Sequence, residues 1–177
     1  MALPAASGAP QAPLPVVGHQ FCAPYVVPLT VTKKALSLSD GDFAITDANG
    51  AVVLKVKGTI FSMRHRRVLL DAAGQPLLSM QEKVFSMHHR WEVFRGDSSK
   101  ASDLLFTVKK SSMIQLKTEM DVFLAGNTAH QVCDFKINGN YFDRDTFMVT
   151  VFPHVDYVFI AALVVILDEV HREKFDE

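Results

Sequence analysis

Residues 157–167, close to the end of the chain, are apolar on every side and contain neither glycine nor proline. A helix that is hydrophobic all round has to be enclosed by protein or by lipid. These eleven residues give about 16 Å of helix, whereas a bilayer core needs roughly 20 apolar residues. Asp156 precedes the run and the charged segment 168–174 follows it. We therefore expect a helix over about residues 156–170 that is buried in protein and is not a transmembrane segment.

The buried helix has to be surrounded by other parts of the chain. The chain before it consists mostly of β-rich runs between turn signals. A sandwich has no place for a wholly apolar helix, whereas a sheet closed around the helix buries it and removes exposed edges. The sequence thus predicts a mainly β barrel. The predicted strands are 42–46, 52–56, 68–71, 77–81, 91–95, 104–109, 113–121, 132–137 and 146–152. The predicted core side chains of the helix are Tyr157, Phe159, Ile160, Leu163, Val164, Ile166 and Leu167.

The 177 residues suit one domain with a sizeable core. Residues 1–20 are rich in proline and alanine, so we expect a flexible leader there and a single domain over 21–177. The two cysteines are far apart in sequence, and no signal peptide is evident. These features favour a cytoplasmic protein with reduced thiols.

Charge is divided unevenly along the chain. Residues 51–117 hold twelve Lys and Arg against five acids, and residues 118–177 hold four against eleven. Two interpretations stay open: the basic region binds an anionic partner, or the two regions pair with each other in the fold.

The densest basic clusters are the candidate lipid-binding site, because anionic headgroups attract each Lys or Arg by about 1 kcal/mol. Histidines gain charge below about pH 6.5, so we expect such binding to strengthen on acidification. Adjacent histidines on a strand point to opposite faces and lack companion ligands, which argues against a metal site. The candidates are Arg64, His65, Arg66, Arg67, His88, His89, Arg90, Lys109 and Lys110. Common enzyme motifs are absent, so we expect no catalytic residues and no cofactor.

Several blocks, in the same order, are similar to the plant LURP-one-related proteins. They include Phe21-Cys22-Ala23-Pro24-Tyr25, Arg66-Arg67-Val68-Leu69-Leu70-Asp71, His88-His89-Arg90-Trp91-Glu92-Val93-Phe94 and Val151-Phe152-Pro153-His154-Val155-Asp156-Tyr157. That family resembles the tubby C-terminal domain and the phospholipid scramblases. The resemblance implies a closed antiparallel barrel of about twelve strands around a central hydrophobic helix. It also implies a plant protein whose relatives include proteins linked to pathogen defence.

The chain departs from the family between Phe142 and Asp145. Relatives carry further strands there, whereas only Asp143 and Arg144 separate the two positions here. We expect about thirty residues to be lacking, which corresponds to two or three strands at roughly 5–6 residues each plus turns. The barrel would then either close with fewer strands or leave an open flank on the helix.

From the resemblance we expect a non-enzymatic module that binds phospholipid, phosphoinositide or a membrane surface and is linked to plant defence or stress responses. A protein-interaction or transcription-linked scaffold is the alternative, and a scramblase-like lipid transporter is the third reading. The expected protein is a cytoplasmic monomer, peripheral at the plasma membrane when lipid-bound. It would have no metal and would not bind nucleic acid directly, while a protein partner remains open.

Overall fold

A computed structural model describes residues 12–34, 42–58, 65–83, 90–114, 117–140 and 145–173 of the chain. Its elements are ten strands and one α-helix, with short 3₁₀ turns at His19–Phe21 and Ala101–Asp103. The strands are β1 (Val27–Lys33), β2 (Phe43–Thr46), β3 (Val52–Gly58), β4 (Arg67–Asp71), β5 (Pro76–Glu82), β6 (Arg90–Arg95), β7 (Leu104–Ile114), β8 (Lys117–Leu124), β9 (Phe135–Asn140) and β10 (Thr146–Val151). The helix α1 spans Tyr157–Glu173.

The strands form one antiparallel sheet in the order β10-β1-β2-β3-β4-β5-β6-β7-β8-β9. Alternate residues of the strands point inward and join the helix in one hydrophobic core, which includes Leu29, Ile45, Leu69, Trp91, Phe106 and Phe159. The predicted mainly β fold around a buried C-terminal helix is confirmed. Within the described residues β9 and β10 are the two edges of the sheet, so the structure has the open flank rather than the closed smaller barrel.

Most predicted strands coincide with observed ones, but β1 was not predicted. Pro28 lies within it, and a proline normally argues against a strand because it cannot donate to the ladder. Here the pairing of β1 with β2 begins only at Thr30, so Pro28 is paired on one side alone, opposite Thr150 of β10. Lys34 donates its N–H toward β2, to the carbonyl of Asp42, and alternate residues of a strand face the same neighbour. The backbone nitrogen of Pro28 therefore faces the unpaired side of β1, and its missing N–H interrupts no ladder.

Two strand predictions were displaced. The alternating segment 113–121 was predicted as one strand, but β7 ends at Ile114 and β8 begins at Lys117. The segment 132–137 was predicted as a strand, whereas β9 begins at Phe135. The side chains of Asn127 and Asp134 bond each other, and Asp134 also accepts from the backbone N–H of Leu124. Such local bonds compete with the sheet ladder and delay the start of the strand.

The start of α1 is fixed by Asp156, which is fully buried. Its Oδ1 accepts the N–H groups of Val158 and Phe159, and its Oδ2 accepts those of residues 16–18. One carboxylate thus caps the helix and ties down the chain ahead of β1. Val17 is 4% exposed and lies in the core. Residues 14–18 are therefore part of the packed domain rather than of a free leader, and residues 1–11 of that predicted leader lie outside the described part of the chain.

Candidate functional site

The helix α1 ends at the end of the barrel where odd-numbered strands lead into even-numbered ones. Because neighbouring strands are antiparallel, the connections after β1, β3, β5, β7 and β9 all leave at this end, which we call the upper end. Asp168 and Glu169 of α1 contact Lys33 at the end of β1 and Arg67 at the start of β4. The predicted basic clusters belong to the same connections or to the strand ends beside them.

Two of the predicted lipid-binding arginines serve the fold. Arg67 is 7% exposed, and its Nε and Nη2 lie 3.1 and 2.8 Å from Oε1 of Glu169. Arg66 donates to Gln81, to Asp97 and to the carbonyl of Ser98, so it fastens the connection between β6 and β7 to β5. Neither guanidinium is directed at a ligand in this arrangement.

The remaining described candidates lie at or near the upper end. His65 has a positive φ of 45° and its Nδ1 lies 3.7 Å from Oε2 of Glu82. Arg90, Lys109 and Lys110 are half-buried. Arg64, His88 and His89 lie outside the described residues, so the prediction for them stays a prediction.

Arg90 and Lys109 are direct cross-strand partners of β6 and β7. Their neighbours Trp91 and Val108 are buried in the core, so both cations point outward. Lys83 follows β5, and its backbone N–H donates to the carbonyl of Arg90. The three cations form a row across three strands, which we call the basic row.

Two acids, Glu92 and Asp121, lie beside the cations of this row. Glu92 lies 3.2 Å from Nζ of Lys83. Asp121 lies opposite Lys109 in the β7–β8 ladder and 3.1 Å from Nζ of Lys136 on β9. The hydrogen bond and charge of Asp121 raise the pKa of Lys136, which keeps that ammonium protonated. Asp121 thus lies between Lys109 and Lys136, and Glu119 adds a further negative charge near Lys136.

The predicted helix core divides into two sets. Phe159, Leu163 and Ile166 are buried, as expected, whereas the other four residues are only half-buried. Those four lie on one stripe of the helix at the i, i+3, i+7, i+10 spacing, and they are Tyr157, Ile160, Val164 and Leu167.

The position of this stripe follows from contacts on either side of it. Leu167 packs so closely against Gly139 of β9 that a Cβ there would meet it at 2.5 Å. On the other side, Lys33 of β1 lies 2.8 Å from Asp168 and stands over the ring of Phe147 on β10. The upper part of the stripe, formed by Ile160, Val164 and Leu167, therefore faces the gap between β9 and β10, whereas Tyr157 packs against the ring of Phe21.

Charged residues at the end of α1 are buried, which the sequence allowed only in general terms, as a pairing of the acidic region with the basic one. Asp168 and Glu169 are 4% and 2% exposed. Burial raises the pKa of Asp168, and the hydrogen bond and charge of Lys33 only partly offset that effect. His171 is also buried, and its ring nitrogens contact the carbonyl of Leu167 and the hydroxyl of Thr118. The basic partners of Asp168 and Glu169 lie on distant strands. The sequence carries no signal of which basic residue contacts which acid.

A second depression lies at the other end of the helix. It is a cleft of about 360 Å³ lined mainly by apolar residues, among them Tyr25, Val26 and Tyr157. Asp47 and Asn49 supply polar atoms at its rim, but Asp47 is engaged in the β2–β3 turn, where its Oδ1 accepts two backbone N–H groups. The cleft has no converging set of catalytic groups. Across the described ranges, no group of three or more His, Cys, Asp and Glu is placed to hold a metal ion.

The fold and this site define a β-barrel-like domain that packs around an apolar helix and carries a basic row on its outer face. The family model "LURP-one-related" matches residues 27–145 and 140–168. The chain belongs to the LURP-one-related family. None of the described helices is long and apolar enough to cross a membrane.

Individual relatives agree with this assignment. LURP-one-related 15 of Arabidopsis thaliana is 44% identical over 206 aligned positions, which cover 97% of this chain and 95% of that protein. LURP-one-related 10 and LURP1 of the same plant are 40% and 39% identical, over 92% and 93% of this chain and 99% and 94% of theirs. A crystal structure of an Arabidopsis thaliana protein is similar with a TM-score of 0.68 at 36% identity, covering 88% of this chain and 98% of that one.

Proposed function

We propose that the protein is a non-catalytic binding module whose upper end engages an anionic phospholipid surface. The observation that carries the proposal is the juxtaposition of Arg90 and Lys109, which lie opposite each other on β6 and β7. Like charges directly opposite each other on neighbouring strands destabilise a sheet. A phosphate or carboxylate headgroup between them would offset that repulsion, so the pair is better suited to a bound anion than to the free protein.

The surroundings of the pair support the same reading. Lys83 extends the row on β5, and the neighbouring connections carry Arg64, His88 and His89 in the sequence. Each Lys or Arg close to an anionic membrane contributes about 1 kcal/mol of attraction. The row and its neighbours would thus provide a useful affinity without a deep pocket. A role in plant defence or stress responses remains part of the proposal and derives from the resemblance to relatives.

Vesicle binding of two matched variants tests the proposal. Changing both Lys83 and Lys109 to Ala removes two cations of the row and should weaken binding to phosphatidylserine vesicles by about 30-fold, at about 1 kcal/mol per lysine. Lys55 and Lys100 serve as the control pair, because Lys100 is exposed on the connection between β6 and β7 at the opposite end. Their change to Ala should leave binding within about twofold.

Stability separates a binding role from a structural one. Lys109→Ala removes both the repulsion of Arg90 and the attraction of Asp121 across the two ladders, so its unfolding free energy should change by less than about 0.5 kcal/mol while vesicle binding falls. Equal binding to anionic and neutral vesicles by the unaltered protein would refute the proposal. Equal losses in the two variant pairs would mean that general charge, rather than this row, attracts the membrane.

A further inference from the structure

The gap between β9 and β10 exposes both backbone and apolar surface, and we call this region the open flank. Its floor is formed by Ile160, Val164 and Leu167 of α1, which are half-buried. Its sides are the inward residues of the two edge strands, and these are likewise only half-buried: Phe135, Ile137, Phe147 and Val149. Neither strand pairs on its outer side with another described residue. An apolar edge of this kind is a template for pairing with another chain.

The chain between the two edges is too short to cover the flank. Only four residues, 141–144, join Asn140 to Asp145, whereas one typical strand needs about 5–6 residues and a turn at each end. The alignment with LURP-one-related 15 runs over 206 positions, more than the 177 residues of this chain, and the family model matches in two parts that meet at residues 140–145. These observations support additional residues at this place in relatives, which this chain lacks.

The directions of the edges make the flank complementary to itself. Because all neighbours in the ten-stranded sheet are antiparallel, β9 and β10 run in opposite directions. A twofold axis parallel to the strands places β10 of one copy beside β9 of the other, and each such pair is antiparallel. A twofold interface uses the same patch on both subunits, and it would close both edges of both sheets at once.

The two edges also match in length and charge. Each strand is six residues long, and each alternates inward apolar residues with outward ones. The exposed outward residues of β10 are Thr146, Met148 and Thr150. The exposed Lys136 of β9 would therefore meet uncharged side chains and no like charge.

We propose that two copies of this chain associate through their open flanks, so that the β9 and β10 edges pair between copies and the two helix stripes become enclosed. Met148, which is 88% exposed on β10, then lies at the seam. This assigns the open flank to a second copy rather than to a foreign partner. It departs from the monomer expected from the sequence and does not depend on lipid binding.

Light scattering with size-exclusion chromatography measures the association. The unaltered chain should show a mass near twice its 19.6 kDa and should dissociate on dilution. Hydrogen exchange of residues 135–140 and 146–151 should slow as concentration rises, because only pairing between copies protects their outward amides. The exchange of β4 and β5, in the middle of the sheet, should not depend on concentration.

Variants then locate the interface. Val149→Lys places a charge on the inner side of β10 at the flank, where the long side chain can still reach solvent in one copy, and it should give a monomer. Val52→Lys, at a partly exposed valine on β3, is the matched control and should leave the dimer intact. If Val149→Lys does not fold, a second variant decides: the additional residues of LURP-one-related 15 placed between Phe142 and Asp145 should fill the flank and give a monomer.

Three outcomes overturn the proposal. One is a measured mass that stays that of a single chain over about a hundredfold range of concentration, because the dimeric fraction of a reversible dimer changes over such a range. The second is a dimer that persists both in Val149→Lys and in the chain with the added residues. The third is a monomer that pairs with an added β-hairpin peptide, since the flank would then accept a foreign strand and not a second copy.

Discussion

Arg67 at the start of β4 and Glu169 in the last turns of α1 form a buried ion pair, with Nη2 of the arginine 2.8 Å from Oε1 of the glutamate. The side chains are 8% and 2% exposed. Glu169 also accepts from Arg172 one turn later. Arg67, which was expected at a lipid surface, thus holds the end of the helix to the sheet. This ion pair agrees with the second interpretation of the charge distribution, in which the basic and acidic regions pair with each other in the fold.

Arg67→Ala should destabilise the protein by about 3 kcal/mol, because removing one partner leaves a buried charge with incomplete compensation. Urea unfolding measures the loss. Lys55→Ala on the neighbouring strand β3 is the control and should change stability by less than about 0.5 kcal/mol. Adding Glu169→Gln to Arg67→Ala should recover part of the loss, and strict additivity of the two changes would contradict a direct pair.

Asp156→Ala should cost at least about 3 kcal/mol, since it leaves five backbone N–H groups without their acceptor at a buried helix start. The same change should free the segment around Val17, so limited proteolysis should cut before β1 faster than in the unaltered protein. Asp47→Ala, which removes an exposed turn carboxylate with two backbone donors, is the comparison. A smaller loss at Asp156 than at Asp47 would show that water replaces the buried cap.

Asp168 should make the protein more stable as pH falls from neutrality. Its pKa is raised in the folded state by burial, so the folded protein binds this proton at a higher pH than the unfolded chain does. The stabilisation begins as pH drops through the raised pKa, is complete below the ordinary aspartate value and is lost again as pH rises. Asp168→Asn removes this contribution. Unfolding curves at several pH values should therefore have a flatter pH dependence in Asp168→Asn, and parallel curves for the two proteins would contradict the prediction.

Adding the residues of LURP-one-related 15 between Phe142 and Asp145 should raise the thermal unfolding midpoint. The added strands would cover Ile160, Val164 and Leu167, and each half-buried side chain should regain about 1 kcal/mol. The comparison has to be made in dilute protein, where association through the open flank does not contribute. Equal midpoints would mean that the flank is already adequately covered in the shorter chain.

The family blocks and the apolar run were sufficient to predict the fold class, because a helix without a polar face can only be enclosed. They also predicted that the flank could remain open, from the short link between Phe142 and Asp145. The start of β9 could not be predicted as well from the sequence. Side-chain bonds of Asn127 and Asp134 keep the preceding residues out of the sheet, and alternation of apolar residues does not reveal such bonds.

The candidate site was predicted only in outline. Basic residues on β4, β6 and β7 and in the connections that precede β4 and β6 were identified from their clustering, but clustering in sequence does not distinguish Arg67, which enters the core, from Lys109, which points outward. That difference depends on whether a strand position faces the helix and on what the helix presents there. Arg67 meets Glu169, while Lys109 meets Arg90 across the ladder.

The sequence by itself determined that residues 157–167 form an apolar helix packed against the rest of the chain, that the chain before them is rich in β-strands, and that one stretch of that β-rich chain is short. Only the tertiary structure decided which residues carry out each task. It turned the charged end of the helix inward, made a cap of Asp156 and left one stripe of the helix facing a gap between two strand edges. The reason is physical. Hydrophobic periodicity is encoded locally, whereas pairing of charges and closure of a sheet depend on residues brought together from distant parts of the chain.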